Sequence, residues 1–163
     1  MPPLPASARA PSIVAVSPRS WSLVVPKSET AAAGDGRKAL GRQGEDLAAA
    51  HLESAGWQIV ARNWQSHGHG HRGEIDIVAR DGDYLVFVEV RTRRAAANGA
   101  IPNLGRPEDS VTPRKQLQLA QIAYAYLYDF PWRGPWRIDV VALELTRDGA
   151  TARFAHYRDA VGG

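Results

Sequence analysis

The spacing of apolar residues alternates along the chain between a helical period and a strand period. Apolar residues recur every three or four positions over Arg37 to Ala55, and again from Pro113 to Phe130, which predicts two helices. Thr112 is the expected N-cap of the second helix, with Pro113 in its first turn. Runs rich in β-branched and aromatic residues predict strands at Trp57–Asn63, in two runs within Gly73–Arg93, at Arg137–Leu145 and, as a short edge strand, at Ala152–Tyr157. The chain is therefore predicted to be an α/β protein with the element order α-β-β-β-α-β and an additional edge strand.

Each predicted helix has an apolar face that should pack against the sheet. In the second helix this face comprises Leu117, Ala120, Tyr124 and Leu127. In the first helix it comprises Leu40, Leu47, Ala48, Leu52 and Ala55. Glu45 lies at the edge of that stripe, and it is the acidic residue of the helix expected to look toward the sheet. The alternative, an exposed or capping glutamate, is the commoner arrangement for a helix residue of this type.

Length and composition are those of one globular domain with an irregular N-terminal tail. The chain has 163 residues, of which 44% are hydrophobic, and this is enough for one core. Residues 1–35 are rich in Pro, Ala and Ser without a sustained period, which predicts a disordered tail before a single domain at residues 36–163. No apolar run reaches about 18 residues, so no membrane partner is expected. The absence of cysteine fits a cytoplasmic protein.

Charged residues interrupt the two strands within Gly73–Arg93 at positions where the pattern predicts burial. Asp76 stands in the first run, and the apolar run of the second leads directly into Glu89 and Arg91. Burial of a charge is costly unless the charge is paired or binds a metal. A conflict of this kind between pattern and charge is typical of a functional site.

Strand geometry predicts that Asp76 and Glu89 lie close together. The turn signal Asp81-Gly82-Asp83 favours a hairpin between antiparallel strands. If Arg80 pairs with Leu85 across a four-residue loop, the two carboxylates lie directly opposite each other, with Cβ atoms roughly 5 Å apart. A two-residue loop at Asp81 and Gly82 leaves them diagonal on one face, and only an odd-length loop separates the faces. A divalent cation between them would relieve the repulsion of two such close carboxylates.

Positive charge is concentrated directly after the second of these strands. Residues 90–115 hold six Arg and Lys residues against two acidic residues, in a chain of net charge +3. A basic rim beside an acidic centre suits a phosphate backbone brought to a metal, and an ordinary solvated loop is the open alternative. Lys115 and Gln116 fall in the first turn of the second helix, where backbone N–H groups favour an anion, although both side chains could equally be exposed polar residues.

Two further polar groups are weaker candidates. Residues 67–71 alternate His and Gly, but the glycines fix no geometry and no fourth ligand is spaced nearby. A loop that touches nucleic acid is therefore favoured there over a dedicated metal site. Asp139 stands on a predicted strand without a charged partner two residues later, and it is interpreted as structural.

Several motifs in fixed order resemble one bacterial protein family. These motifs are GRQGEDLAAAHLESAG, RNW, GEIDIVARDG, FVEVRTR, VTPRKQ and RIDVVAL, and they span roughly Arg37 to Tyr157. They resemble the YraN-like endonuclease family, a relative of the archaeal Holliday-junction resolvases with a PD-(D/E)xK site. The resemblance implies a restriction-endonuclease-like core, in which a mixed central sheet is flanked by helices.

The same resemblance implies the roles of individual residues. Asp76 and Glu89 would bind Mg²⁺ or Mn²⁺, helped by Glu45 directly or through water and by the backbone oxygen of Val90. The metal would activate a water for hydrolysis of a phosphodiester, with DNA of branched or otherwise non-B structure as the expected partner. The expected nucleic-acid contacts are Arg93, Arg94, Arg114, Lys115 and Gln116. A homodimer, which could cut two strands, is compatible with this resemblance.

The sequence departs from the family motif at one position, where Arg91 replaces the usual lysine. Arginine can grip phosphate as a fixed charged fork, but it cannot act as a base, so that part of the chemistry would pass to another group such as Lys115. The leading hypothesis is a metal-dependent nuclease with Glu45, Asp76, Glu89 and Arg91 in the active site. One alternative is a nucleic-acid-binding protein that retains the fold without catalysis. The other is a protein-interaction domain whose carboxylates form salt bridges with Arg91, Arg93 and Arg94.

Overall fold

One mixed β-sheet runs through the molecule, with one helix packed on each of its faces. The structure is a computed structural model, and it describes residues 13–14, 33–66, 72–95 and 111–161. Its elements in chain order are β1 (Ile13–Val14), α1 (Ala33–Ser54), β2 (Gln58–Gln65), β3 (Glu74–Asp81), β4 (Tyr84–Arg94), α2 (Pro113–Asp129), β5 (Trp136–Leu145) and β6 (Thr151–Tyr157).

The strands lie in the order β1-β6-β5-β4-β3-β2. Strands β4 and β5 are parallel at the centre, whereas each of the other neighbouring pairs is antiparallel. Parallel neighbours cannot be joined by a tight hairpin, and α2 lies in the long connection between β4 and β5. The predicted α/β class, the element order and the mixed sheet flanked by helices are confirmed, in agreement with a restriction-endonuclease-like core.

Two hydrophobic cores lie on opposite faces of the sheet, and β4 contributes to both. Leu85 and Phe87 belong to the core under α2, while Val86 and Val88 belong to the core under α1. All four of these residues are buried. Burial on both faces explains why residues 84–88 form a continuous apolar run rather than an alternating one.

The two predicted helices are present, and the buried face predicted for the second is correct except at Leu117. Ala120 and Leu127 pack against the core, whereas Leu117 is 61% exposed and the centre of the buried face is formed by Leu119, Ile122 and Tyr126. Apolar residues occupy much of the circumference of α2, so the spacing alone does not define the limits of the buried face. In α1 the expected Ala48 and Leu52 are buried, together with Ala49.

The predicted tail and two predicted loops lie almost wholly outside the described residues. Within the tail, the short strand β1 pairs with β6 through Ile13↔Tyr157 and Val14↔His156. The remainder of residues 1–32, the His-Gly segment at 67–71 and residues 96–110 are not described. Neither helix in the described part of the chain is long and apolar enough to cross a membrane.

Candidate active site

Strands β3 and β4 part from each other at the position of Asp76 and Glu89. Their ladder runs from Asp81↔Tyr84 to Ile77↔Val88 and stops there. Beyond this point β3 continues beside β2, whereas β4 continues beside β5 as far as Arg94. Asp76 and Glu89 are the next residues in the same register, so they face each other at the point where β3 and β4 separate, which we call the fork.

The pairing of Arg80 with Leu85 decides between the loop alternatives. It is the pairing that the sequence associates with directly opposed carboxylates, so the predicted hairpin register is confirmed. The four-residue loop is not, because Asp81 also pairs with Tyr84 and leaves only Gly82 and Asp83 in the loop. The turn signal therefore fixes which residues meet at the fork, because antiparallel register carries the pairing at the turn along both strands.

Asp76 is a buried carboxylate with one firm hydrogen-bond donor. Only 9% of the residue is exposed, and its Oδ2 accepts a hydrogen bond of 2.7 Å from the backbone N–H of Val90. Burial, followed by the negative charges of Glu89 and Glu45, raises the pKa of Asp76 to about 7, against the opposing effects of the Val90 hydrogen bond and the Lys115 charge. The folded protein thus holds Asp76 where its ionised form is disfavoured.

Glu89 faces two cations from different elements. It is 5% exposed, and its Oε1 lies 3.3 Å from Nη2 of Arg91 and 3.3 Å from Nζ of Lys115. Lys115 is held in the first turn of α2, where the hydroxyl of Thr112 accepts a 3.3 Å hydrogen bond from its backbone N–H. The predicted N-cap is confirmed, and it brings Lys115 to the centre of the site rather than to its rim.

Arg91 follows Glu89 on the same face of β4. Its side chain is 40% exposed. Its Nε is buried and has no hydrogen-bond partner among the residues that the structure describes. A ligand would therefore meet the exposed part of this side chain rather than the shielded Nε.

Glu45 reaches the region from α1. The preceding residue, Gly44, packs so closely on β4 that a Cβ atom there would lie 1.7 Å from Oγ1 of Thr92, and this close approach requires glycine. Glu45 is half-buried, and its Oε2 accepts a 2.8 Å hydrogen bond from Nδ2 of Asn63 on β2. Its charge acts on Asp76, so the predicted acidic residue of α1 does approach the sheet.

Apart from Lys115, the predicted nucleic-acid contacts either form hydrogen bonds outside this centre or are exposed. Arg93 forms an ion pair with the buried Glu144, and its Nε donates to Oε1 of that residue at 3.0 Å. Arg94 donates to the carbonyl oxygen of Thr146 at 2.7 Å. Gln116 donates to the carbonyl oxygen of Val111 at 3.0 Å, while Arg114 is exposed. The fork therefore gathers Asp76, Glu89, Arg91 and Lys115, with Glu45 nearby.

The chemistry of the donors at the fork suits a hard divalent cation. Asp76 and Glu89 offer carboxylate oxygens, the ligands that Mg²⁺ and Mn²⁺ prefer. Burial and the charge of Glu89 raise the pKa of Asp76, and a cation between the two carboxylates would oppose both effects. Within the ranges described, no group of three or more His, Asp or Glu side chains is assembled as a metal cluster. The fitting set is thus a pair of carboxylates, with Glu45 tied to Asn63.

Sequence analysis missed two features of these strands. Asn63 was not singled out, although the adjacent polar residues Arg62 and Asn63 interrupt the expected strand. Asp139 was correctly interpreted as structural, but its partner stands two residues before it rather than after it: Nε of Arg137 donates to its Oδ1 at 2.9 Å. The same two-residue spacing that joins Glu89 to Arg91 could have revealed this pair.

Several known proteins similar to this chain are members of one family. The model of the uncharacterised protein family UPF0102 matches residues 44–143. A UPF0102 protein of Chloroflexus aurantiacus is 43% identical over 128 residues, covering 77% of this chain and 95% of its own length. Those of Herpetosiphon aurantiacus and Streptomyces griseus are 42% and 46% identical, covering 69% and 70% of this chain and 87% and 89% of their own lengths. The resemblance noted in the sequence is confirmed at the level of the family.

Proposed function

The chain belongs to the uncharacterised protein family UPF0102, and on that premise we propose that it is a divalent-metal-dependent nuclease. The proposed reaction is hydrolysis of phosphodiester bonds in DNA. The observation that carries the proposal is the placement of Asp76 and Glu89, two buried carboxylates, opposite each other where β3 and β4 part.

The carboxylates supply the acidic half of the proposed site. Asp76 and Glu89 would hold Mg²⁺ or Mn²⁺ together with the backbone oxygen of Val90, and Glu45 would assist directly or through water. When bound, the ion supplies Lewis-acid chemistry, lowering the pKa of a bound water and stabilising charge on the phosphate. Asp76 and Glu89 are fixed by their strands, so the site is organised before substrate arrives.

The cations supply the phosphate-binding half. Arg91 and Lys115 both approach Oε1 of Glu89, and each could contact a phosphate oxygen bound beside that carboxylate. The side chain of Arg91 is 40% exposed and can contact a phosphate as a fixed cation, but a guanidinium does not lose its proton at neutral pH. Arg91 therefore orients substrate and stabilises charge, and Lys115 is the compact cation of the site.

The proposed substrate is branched or otherwise non-B DNA, recognised through its backbone and shape. No base-reading motif is present, and the proposed contacts carry positive charge or amide donors. The additional proposed contacts are Arg93, Arg94, Arg114 and Gln116. We place this activity in the cytoplasm, with a homodimer as the form that could cut two strands.

A non-catalytic nucleic-acid-binding protein is the second candidate, and Arg91 favours it. In the family motif this position is a lysine, and here the guanidinium lies 3.3 Å from Glu89. A protein that had lost cleavage could keep such an arginine for phosphate binding alone. The two candidates agree on DNA binding and differ in metal-dependent cutting.

One assay separates the two candidates. Purified protein is incubated with labelled single-stranded, duplex and four-way-junction DNA, in Mg²⁺, Mn²⁺ or chelator, beside Asp76→Ala and Glu89→Ala. Cleavage that requires metal and disappears in both variants supports the nuclease. Binding without cleavage supports the second candidate, and no binding at low salt contradicts both, because phosphate contacts are strongest there.

Replacement of Arg91 by lysine tests whether Arg91 or Lys115 is the cation that assists cleavage. Arg91→Lys restores the motif and is expected to increase cleavage, because a compact ammonium can approach the attacking water more closely than a guanidinium. Cleavage rates of Arg91→Lys and Lys115→Ala are measured together. An unchanged rate in Arg91→Lys with a large loss in Lys115→Ala would assign the role to Lys115.

A further inference from the structure

Asn63 occupies the strand position beside the two carboxylates. In the register of β2 with β3, Arg62 pairs with Ile77 and Trp64 pairs with Ile75, so Asn63 stands opposite Asp76. Asp76 in turn stands opposite Glu89. Asn63, Asp76 and Glu89 therefore form one row across three neighbouring strands.

The backbone of Asn63 is in the left-handed region, with φ of 50°. Asparagine tolerates this conformation better than most residues, and its occurrence within a strand is unusual. It interrupts the alternation of β2, so that Arg62 and Asn63 are both exposed. Residues held in such conformations concentrate at functional sites, where surrounding contacts maintain them.

Two parallel contacts join this part of β2 to α1. Nδ2 of Asn63 donates to Oε2 of Glu45 at 2.8 Å, and Nη2 of Arg62 donates to Oδ1 of Asp46 at 2.6 Å. Asp46 and Arg62 are both exposed. Glu45 is half-buried, and its charge contributes to the electrostatics of Asp76. Asn63 thus contacts Glu45, the carboxylate that acts on the site, whereas Arg62 contacts Asp46, which lies outside it.

We infer that Asn63 is a positioning residue, which fixes Glu45 beside the pair formed by Asp76 and Glu89 so that Glu45 assists the bound metal through water rather than as a direct ligand. This inference rests on the proposed metal-dependent function. The amide fixes one oxygen of Glu45 by a neutral hydrogen bond and adds no positive charge that would compete with a cation. The left-handed backbone lets the amide of an edge-strand residue reach α1 from the row of the carboxylates.

The test measures Mn²⁺ affinity by titration calorimetry on the full chain. Asn63→Gly keeps a residue that accepts positive φ and removes only the amide. This variant is expected to weaken Mn²⁺ binding about 10-fold, the usual lower range when a residue that orients a metal ligand is lost. Arg62→Ala is the matched control, because it removes the neighbouring α1 to β2 contact, and it should change the affinity less than about 2-fold.

A double substitution tests whether Asn63 acts through Glu45. Glu45→Gln should weaken Mn²⁺ binding, and Asn63→Gly combined with Glu45→Gln should bind no more weakly than Glu45→Gln alone. Wild-type affinity in Asn63→Gly, additive losses in the double variant, or an equal loss in Arg62→Ala would each overturn the inference while leaving the metal site intact. Absence of Mn²⁺ binding by the wild-type protein would overturn both the inference and the proposed function.

Discussion

Two groups of buried carboxylates lie in neighbouring rows of the sheet, and they differ in how their charge is compensated. Asp139 is paired with Val88 in the β4–β5 register, one position before Glu89. It is fully buried, yet its oxygens receive hydrogen bonds of 2.9 Å from the Nε of Arg137 and from the backbone N–H of Asp159, and lie 2.9 Å from Nε2 of His156. Asp139 therefore has a complete set of partners supplied by the protein.

The cation beside Asp139 is itself enclosed. Arg137 donates to Oδ2 of Asp81 at 2.8 Å, and its guanidinium lies 5.0 Å from the ring of Tyr84 and 5.3 Å from that of Trp57. Burial alone would lower the pKa of Arg137, but the carboxylates of Asp139 and Asp81 raise it instead. Nothing in this group requires an external ion.

At the fork, the negative charge of the carboxylates is not fully compensated by partners from the protein. Asp76 and Glu89 face each other, and the pKa of Asp76 is raised by burial and by the charge of Glu89. Arg91 and Lys115 both approach one oxygen of Glu89 rather than Asp76. The comparison teaches that burial of a carboxylate does not by itself mark a functional site, whereas incomplete compensation of two adjacent carboxylates does.

The largest expected effect is the loss of the compensated group. Asp139→Ala should reduce the free energy of unfolding by about 3–5 kcal/mol, because Arg137 would be left buried with part of its pairing removed. Urea unfolding at pH 7 measures this change, with Arg62→Ala at an exposed pair as the control. A loss below about 1 kcal/mol would show that the Asp139 group is not the structural element described here.

Removal of the charge of Asp76 should increase the free energy of unfolding rather than reduce it. The pKa of Asp76 is about 7 in the folded protein against 3.8 for an ordinary aspartate, so the stability contributed by its protonated form is complete below pH 4 and is lost as the pH rises to about 7. Asp76→Asn keeps an acceptor for Val90 and removes the charge. It should therefore exceed the wild type in stability by about 2–4 kcal/mol at pH 8, since one pKa unit corresponds to about 1.4 kcal/mol.

Thermal or urea unfolding of Asp76→Asn between pH 4 and pH 8 checks this dependence. The advantage of the variant should shrink toward pH 4, where wild-type Asp76 is protonated in the folded state and becomes protonated in the unfolded state as well. A constant difference across the range would mean that Asp76 is ionised throughout and that its charge is already compensated.

A bound metal ion should offset the destabilisation that ionised Asp76 causes at the fork, and it should leave the Asp139 group unaffected. At a concentration 100 times its dissociation constant, Mg²⁺ or Mn²⁺ should stabilise the wild type by about 2.7 kcal/mol, and more weakly at pH 5 than at pH 8, because binding requires ionised Asp76. Melting temperatures with metal and with chelator measure the effect. Equal stabilisation of Asp76→Asn would contradict binding at the fork.

The fold and the fork were predictable because local patterns determine them. The spacing of apolar residues located the helices and strands. The turn at Gly82 limited the β3–β4 register to a few alternatives, which place Glu89 directly opposite Asp76, diagonal to it, or on the other face. The helical spacing also directed Glu45 toward the sheet, and the family resemblance gave it a role at the metal. These features depend on residues close in sequence or on a single strand register.

The remaining features depend on packing between distant segments. The limits of the buried face of α2 follow from its fit to the sheet, so Leu117 was misassigned. Apart from Arg137, the partners of Asp139 come from β6 and from Asp159 after it, and Asn63 on the edge strand contacts Glu45 on α1, 18 residues away in the chain. No periodicity in the sequence encodes such contacts, although an unusual polar residue within a strand is a usable signal.

The smallest expected effect provides a pH-independent reference for the comparison. Thr112→Ala removes the N-cap of α2 and should cost about 1 kcal/mol, because the backbone N–H of Lys115 loses its acceptor. No titrating group takes part in this hydrogen bond, so the loss should be the same at pH 5 and pH 8, unlike the change in Asp76→Asn. Urea unfolding measures both, with Thr112→Ser as the control that keeps the hydroxyl. A loss in Thr112→Ala that grows with pH would mean that the cap also sets the position of Lys115 against Glu89, and that the charge balance at the fork extends into α2.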